Sequence, residues 1–159
     1  AEAAKKIQAK YYVNIQGDEP FFPKIDIKKL IQTSKKYPQS VINGFTQIKQ
    51  KKLYFSPHIP KVVFNDNEDL LYMSRSPIPG NKKKIYTKAW RQVCGYVFPN
   101  KKLMEFCKYK RKKKLESVED IEILRFIEMG INVKMVKLSN ISMSIDTKQD
   151  LALAKKKIG

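Results

Sequence analysis

The sequence predicts an α/β sandwich built around a mainly parallel sheet. Three observations carry this reading. Short apolar, β-like runs alternate along the chain with stretches of helical periodicity. The 159 residues suit one domain, and an apolar fraction of 42% supplies a real core. No linker, repeat or low-complexity stretch divides the chain, so residues 1–159 read as a single domain.

Taken in order, residues 1–10 (AEAAKKIQAK) lack a breaker and read as a helix already under way. YYVNI (11–15) reads as a short buried strand. Pro23 can open a helix carrying Ile25, Ile27, Leu30 and Ile31, with Pro38 as its stop. SVINGFTQI (40–48) is β-like. KVVF, the polar turn NDNED and LLYM form a hairpin that is extra to the alternation. SPIPGNKKK is a loop fixed by two prolines and a glycine. RQVCGYVF (91–98) is a strand, NKKLMEFCKYK a helix and KRKKK an exposed basic connection. LESVEDIEILRFIEMG reads as one helix, with Val118, Ile121, Leu124 and Ile127 on one face and Gly130 past its end. NVKMVKL (132–138) is a strand, and KQDLALAKKKI a last helix.

The formal charge of +18 suggests a polyanionic partner. Against that, 29 of the 33 basic residues are Lys and only four are Arg. Readers of phosphates and bases favour Arg for its planar fork, so scattered Lys fits a solvated face better than a nucleic-acid interface. KYKRKKK contains one aromatic, Tyr109, too few for a base-stacking platform. No apolar run approaches the length of a membrane span, so neither nucleic acid nor a membrane is the expected partner. Two cysteines, Cys94 and Cys107, and one histidine, His58, make a Cys/His zinc site untenable.

Chemistry concentrates in a few places. IQGDEP ends an apolar run in Gly17, Asp18 and Glu19. In open α/β sheets, ligands bind beyond the carboxyl ends of strands. Gly17 permits a sharp turn, and a carboxylate there suits Mg²⁺, which pairs one or two carboxylates with phosphates and water. Capping of the turn or helix that follows is the competing role for Asp18 or Glu19. In SIDTKQDL, Asp146 follows a strand-like residue and either caps the last helix or faces the same crevice. Arg75, after YMS, can grip a carboxylate or phosphate bidentately, or form a surface ion pair. Glu119 and Glu122 lie three apart and can hold sugar hydroxyls, with a Glu122–Arg125 pair as the alternative.

Together and in this order, VNIQGDEP, KVVFNDNEDLLYMSRSPIP, QVCGYVF, LESVEDIEILRFIEMG and SIDTKQDL resemble the carboxyl-terminal two-thirds of the 3-deoxy-manno-octulosonate cytidylyltransferases, the CMP-Kdo synthetases, with the acylneuraminate cytidylyltransferases as relatives. The resemblance implies a three-layer nucleotidyltransferase fold, Rossmann-like and glycosyltransferase-A-like, with an inserted hairpin for dimerisation. It implies Mg²⁺-dependent transfer of CMP from CTP to a 3-deoxy-2-ulosonic acid, releasing pyrophosphate for lipopolysaccharide or surface-glycan synthesis in the cytoplasm. Asp18 and Asp146 become the metal carboxylates. Gln16, Arg75, Gln92, Tyr96 and Glu122 line the sugar pocket, with Asp18 and Arg75 as the catalytic pair. A homodimer is expected.

Two departures fall in that pocket. Gln92 stands where family members carry a histidine, and Ile123 where a glutamine often follows the glutamate. They leave open Kdo, an 8-amino variant and a nonulosonic acid. The family's triphosphate loop (ARxxSTRLPGK) and cytosine-holding segment (SGTDR) have no counterpart here. The expectation is a chain incomplete at its amino terminus, whether a truncated or split product, a protein whose first part lies outside this sequence, or a degenerate gene. Such a chain alone is expected not to turn over CTP. A non-catalytic dimerising remnant and a basic nucleic-acid-binding module are the other classes carried.

Overall fold

The computed structural model describes residues 2–141, 145 and 148–158. Helix α1 (Glu2–Lys6) leads into strand β1 (Tyr11–Ile15). Next come helix α2 (Lys24–Lys36), strand β2 (Val41–Gln47), helix α3 (Lys51–Phe55) and the hairpin β3 (Lys61–Phe64) and β4 (Leu70–Ser74). Strand β5 (Trp90–Pro99), helices α4 (Asn100–Cys107), α5 (Lys114–Glu119) and α6 (Ile123–Glu128), strand β6 (Val133–Lys137) and helix α7 (Lys148–Ile158) complete the chain. Among the described residues no helix is long and apolar enough to cross a membrane.

The sheet order is β4-β3-β5-β2-β6, with β1 also on β5. The ten-residue β5 is the spine. On one side it pairs antiparallel with β2. On the other it pairs first with β3, through Trp90 and Arg91, and then with β1, from Gly95 to Pro99. The sheet is thus mixed. The mainly parallel pairing expected from sequence is confined, among the described strands, to β2 with β6, because β5 returns against β1, β2 and β3 alike.

Side-chain alternation along β2 explains the layers. Val41 and Phe45 face one cluster with Leu124, Phe126 and Met135. Ile42 faces the other, with Leu30 of α2, Val93 and Val97. Helix α2 therefore covers one face and α4–α6 the other. There Phe98, Phe126 and Phe106 stack in series, with centroids 5.6 and 4.6 Å apart. β1 is less buried than its apolar sequence suggests, since Val13 is 42% exposed.

The single helix expected over 115–130 is two helices. Asp120 adopts φ 53°, ψ 47°, a left-handed conformation that ends α5 after Glu119. Val118, placed by periodicity on the core face, is 77% exposed. The expected Glu122–Arg125 pair is replaced by a buried one. The Arg125 guanidinium grips Glu116 through Nε and Nη2 and lies 4.1 Å from the Phe106 ring centroid. Glu128 of α6 accepts the Leu115 amide at 3.0 Å, capping the start of α5. These contacts fasten the two short helices together. Helix α3 was not expected. KKLYF offers too few residues for a period, and Tyr54 fixes it by donating to the Pro79 carbonyl at 2.9 Å.

Candidate active site

β1 ends because the chain turns back on itself. The Glu19 amide donates to the Gln16 carbonyl at 3.1 Å, and the Phe22 amide to the Glu19 carbonyl at 3.2 Å. This turn places Asp18 half-buried, just past the last pair of β1 with β5. Asp18 Oδ1 is buried and has no hydrogen-bond partner among the described residues. A buried carboxylate oxygen without a donor is costly and marks a place where an ion or ligand belongs. A hard oxygen donor of this kind fits Mg²⁺. Asp146, its expected companion, lies outside the described residues. Its neighbour Ile145 donates its amide to the Asp18 carbonyl at 2.9 Å, which joins that segment to the loop after β1. Among the described residues no three His, Cys, Asp or Glu side chains gather into a cluster.

Beside this loop β5 bulges. Asn43 pairs with Tyr96 but Gly44 pairs with Val93, so Cys94 and Gly95 are extra residues on β5. The bulge would strand backbone groups, and side chains satisfy them. Buried Asn43 donates from Nδ2 to the carbonyls of Val93 and Gly95, at 3.2 and 3.1 Å. The Cys94 amide donates to Glu19 Oε1, and the Gln16 amide to the Cys94 carbonyl, each at 3.4 Å. Gly95 is required by packing. A Cβ there would lie 2.5 Å from Phe22 Cζ and 2.9 Å from Leu30 Cδ1.

The bulge brings two predicted sugar-side residues together. Gln92 Nε2 donates to Asn43 Oδ1 and to Tyr96 Oη, both at 3.1 Å. Burial, and then the neighbouring Cys94 sulfur, push the Tyr96 phenol well above its ordinary range. The negative charge of Glu122, at the start of α6, adds to that shift. Gln16 is exposed at the mouth of the turn, joined to the bulge through its backbone.

Arg75, just after β4, makes no hydrogen bond to this cluster among the described residues. Its Nε donates to the Glu119 carbonyl at 2.8 Å, Nη1 to Pro57 at 3.1 Å and Nη2 to Asp120 at 3.2 Å. Burial works to raise the Glu119 carboxyl. Hydrogen bonds from Ser74, the Arg75 amide and Tyr72 outweigh it and hold the group below its usual range. Arg75 and Glu119 thereby clamp the turn that leads to Glu122.

Sequence reasoning missed Asn43 and gave Glu19 no role beyond capping. The available signal was Gly95 inside an apolar strand, which marks a bulge or a close approach.

A family model described as cytidylyltransferase matches residues 1–141. The 3-deoxy-manno-octulosonate cytidylyltransferase of Thermodesulfovibrio yellowstonii is 34% identical over 170 residues, covering 98% of this chain and 66% of that protein. The Christiangramia forsetii enzyme of the same name is 33% identical over 160 residues, covering 98% and 64%. The solved CMP:2-keto-3-deoxy-manno-octonic acid synthetase complexed with CTP shares 28% identity at a TM-score of 0.90, over 99% of this chain and 65% of its own. A 4-diphosphocytidyl-2C-methyl-D-erythritol synthase from Anaerococcus prevotii shares the fold, at 16% identity, a TM-score of 0.60 and 99% and 63% coverage. The chain spans just under two thirds of the length of these curated relatives. The match over residues 1–141 shows that the chain belongs to the cytidylyltransferase family.

Proposed function

We propose that this chain supplies the sugar-acid side and the metal carboxylates for transfer of CMP from CTP to the anomeric hydroxyl of a 3-deoxy-2-ulosonic acid, with release of pyrophosphate. The observation that carries this reading is the likeness, over 99% of the chain, to a synthetase solved with CTP. Asp18, with its orphaned Oδ1, and Asp146 are proposed to hold Mg²⁺. When bound, Mg²⁺ neutralises charge that develops on the phosphates. Gln16, Gln92, Tyr96 and Glu122 orient the sugar acid, so that most of the catalysis is positioning. Arg75 sets the turn before Glu122. Two of its five N–H donors are left uncommitted by the three bonds above, enough for a sugar carboxylate. The hairpin β3–β4, where Leu71 is 55% exposed, is the proposed homodimer surface, and the cytoplasm is the proposed location.

The test is pyrophosphate release by the native gene product carrying these residues, with CTP, Mg²⁺ and 3-deoxy-manno-octulosonate. Release that requires the sugar acid and falls at least a hundredfold in Asp18→Asn supports the reading. Release independent of the sugar acid, no release, or Asp18→Asn within a few-fold of the parent would overturn it. Sedimentation at micromolar concentration reads the dimer, and a monomer there refutes it.

A further inference from the structure

Asp26 is fully buried in the first turn of α2, yet its side chain does not cap that helix. An acid three residues past an N-cap commonly reaches back to the N-cap amide. Here the N-cap is Pro23, which has no N–H to offer. The Asp26 carboxylate is turned to the end of β6 instead. Its Oδ1 and Oδ2 accept the Ser139 amide at 3.2 and 3.0 Å, and Oδ2 also accepts the Ser139 hydroxyl. Lys29, exposed, lies 3.8 Å from Oδ1. A buried carboxylate is tolerated only where donors meet it, and Ser139, 113 positions further on, supplies them.

This contact is one half of a clasp. The Ile145 amide, donating to the Asp18 carbonyl at 2.9 Å, is the other half. Between Asp18 and Asp26 the chain turns twice, with the amides of Glu19, Phe22 and Asp26 donating to the carbonyls of Gln16, Glu19 and Pro23. The exit from β6 is fixed as well. The Leu138 amide donates to the Phe45 carbonyl at 2.8 Å, and Arg91 Nη2 to Asn140 Oδ1 at 3.4 Å. The loop that presents Asp18 is thus tied on both sides to the chain that follows β6.

Resting on the function proposed above, we propose that Asp26 is a positioning residue for the divalent-cation site. By holding Ser139 it fixes where the chain leaves β6 and, through the Ile145 amide, the conformation of the loop that presents Asp18 Oδ1. Asp26 acts through Ser139 and is not itself a ligand. Carboxylates that bind metal do so well only when groups behind them hold their orientation, and loss of such a group weakens binding without removing a ligand. With Asp26 gone, the Asp18 loop keeps the Ile145 bond and loses the anchor on its other side.

The test uses the native gene product, with Mn²⁺ alone as the probe. Binding is read by EPR, and amide hydrogen exchange by NMR. Asp26→Ala is expected to weaken Mn²⁺ binding about tenfold. It is also expected to speed exchange of the Ile145 amide about tenfold, while the amides of the β2–β5 ladder stay as protected as in the parent. Where Asp26→Ala fails to fold, Ser139→Ala decides. It removes the hydroxyl donor and keeps the amide, and about a threefold change in both readouts is expected. Faster exchange of Ile145 together with the whole β2–β5 ladder overturns the inference, since it marks a general loss of stability. Mn²⁺ binding that depends on Asp18 but is unchanged in the folded variant sinks the inference and leaves the proposed function standing. A parent that binds no Mn²⁺, or binds it no better than Asp18→Asn, sinks the metal assignment and the inference together.

Discussion

The Cys94 amide donates to Glu19 Oε1 at 3.4 Å, so a buried carboxylate from the turn after β1 holds the bend of a strand 75 residues further on. The contact binds the loop that carries Asp18 to the strand that carries Gln92 and Tyr96. The loop after β1 and the bulge of β5 therefore share one support.

Cys94 reports on that support. Burial, and then the negative charge of Glu19, push its thiol up to about 12. At pH 8 almost none of it is thiolate, the reactive form. Alkylation of Cys94, followed by peptide mass spectrometry, is expected to run at least about a hundredfold slower than for a free cysteine. Glu19→Gln removes one of the opposing charges and is expected to speed it. Labelling of Cys94 at the rate of free cysteine would refute the arrangement.

Glu116 and Arg125 form a buried ion pair, 0% and 8% exposed. Removing one partner leaves a charge in a poorly solvated place. Arg125→Met or Glu116→Gln is expected to cost about 3–5 kcal/mol in urea unfolding. Replacing both with apolar residues is expected to restore much of that loss. A single substitution costing less than about 1 kcal/mol would show the pair to be solvated.

Gly95→Ala is expected to cost about 1–3 kcal/mol, the usual penalty of overpacking. The new methyl would meet Phe22 and Leu30. Since Phe22 follows directly on the turn that holds Asp18, activity is expected to fall further than stability alone explains. Equal losses in the two measurements would separate the bulge from the turn that carries Asp18.

Lys61 is buried beneath the hairpin, where Nζ donates to the carbonyls of Ser56 and Arg75. Burial is the largest influence and lowers its ammonium from 10.5 to about 8, with the Arg75 charge assisting and Glu119 opposing. Between pH 8 and 10.5 the unfolded chain keeps a proton that the folded chain has released. Stability from this group therefore rises with pH across that window. The melting temperature of the parent, taken relative to Lys61→Met, is expected to climb from pH 8 to 10.5. A flat difference would remove Lys61 from the titration.

Much of this was legible in the sequence, because the strands and the longer helices announce themselves by period. β1, α2, β2, the hairpin, β5, α4 and β6 fall where apolar alternation and Pro or Gly punctuation put them. The position of Asp18 was legible from the end of an apolar run. Three things were not. Asp120 gives no local hint of its left-handed turn, since the apolar spacing continues through it. The partner of Arg125 lies nine residues back across that turn, beyond any i,i+4 rule. The polarity of the Gln92 amide depends on Asn43, about fifty positions away, and emerges only when β2 and β5 lie side by side.

The position of β5 also bears on how the sheet guards its edges. Three earlier strands, β1, β2 and β3, all pair with it, whereas β3 and β4 alone can close on each other locally. Among the described strands β1 has no other partner and β2 has none that precedes β5, so both depend on residues 90–99. Open edges are templates for joining other chains. Disruption of β5 is therefore expected to expose the edges of several strands at once.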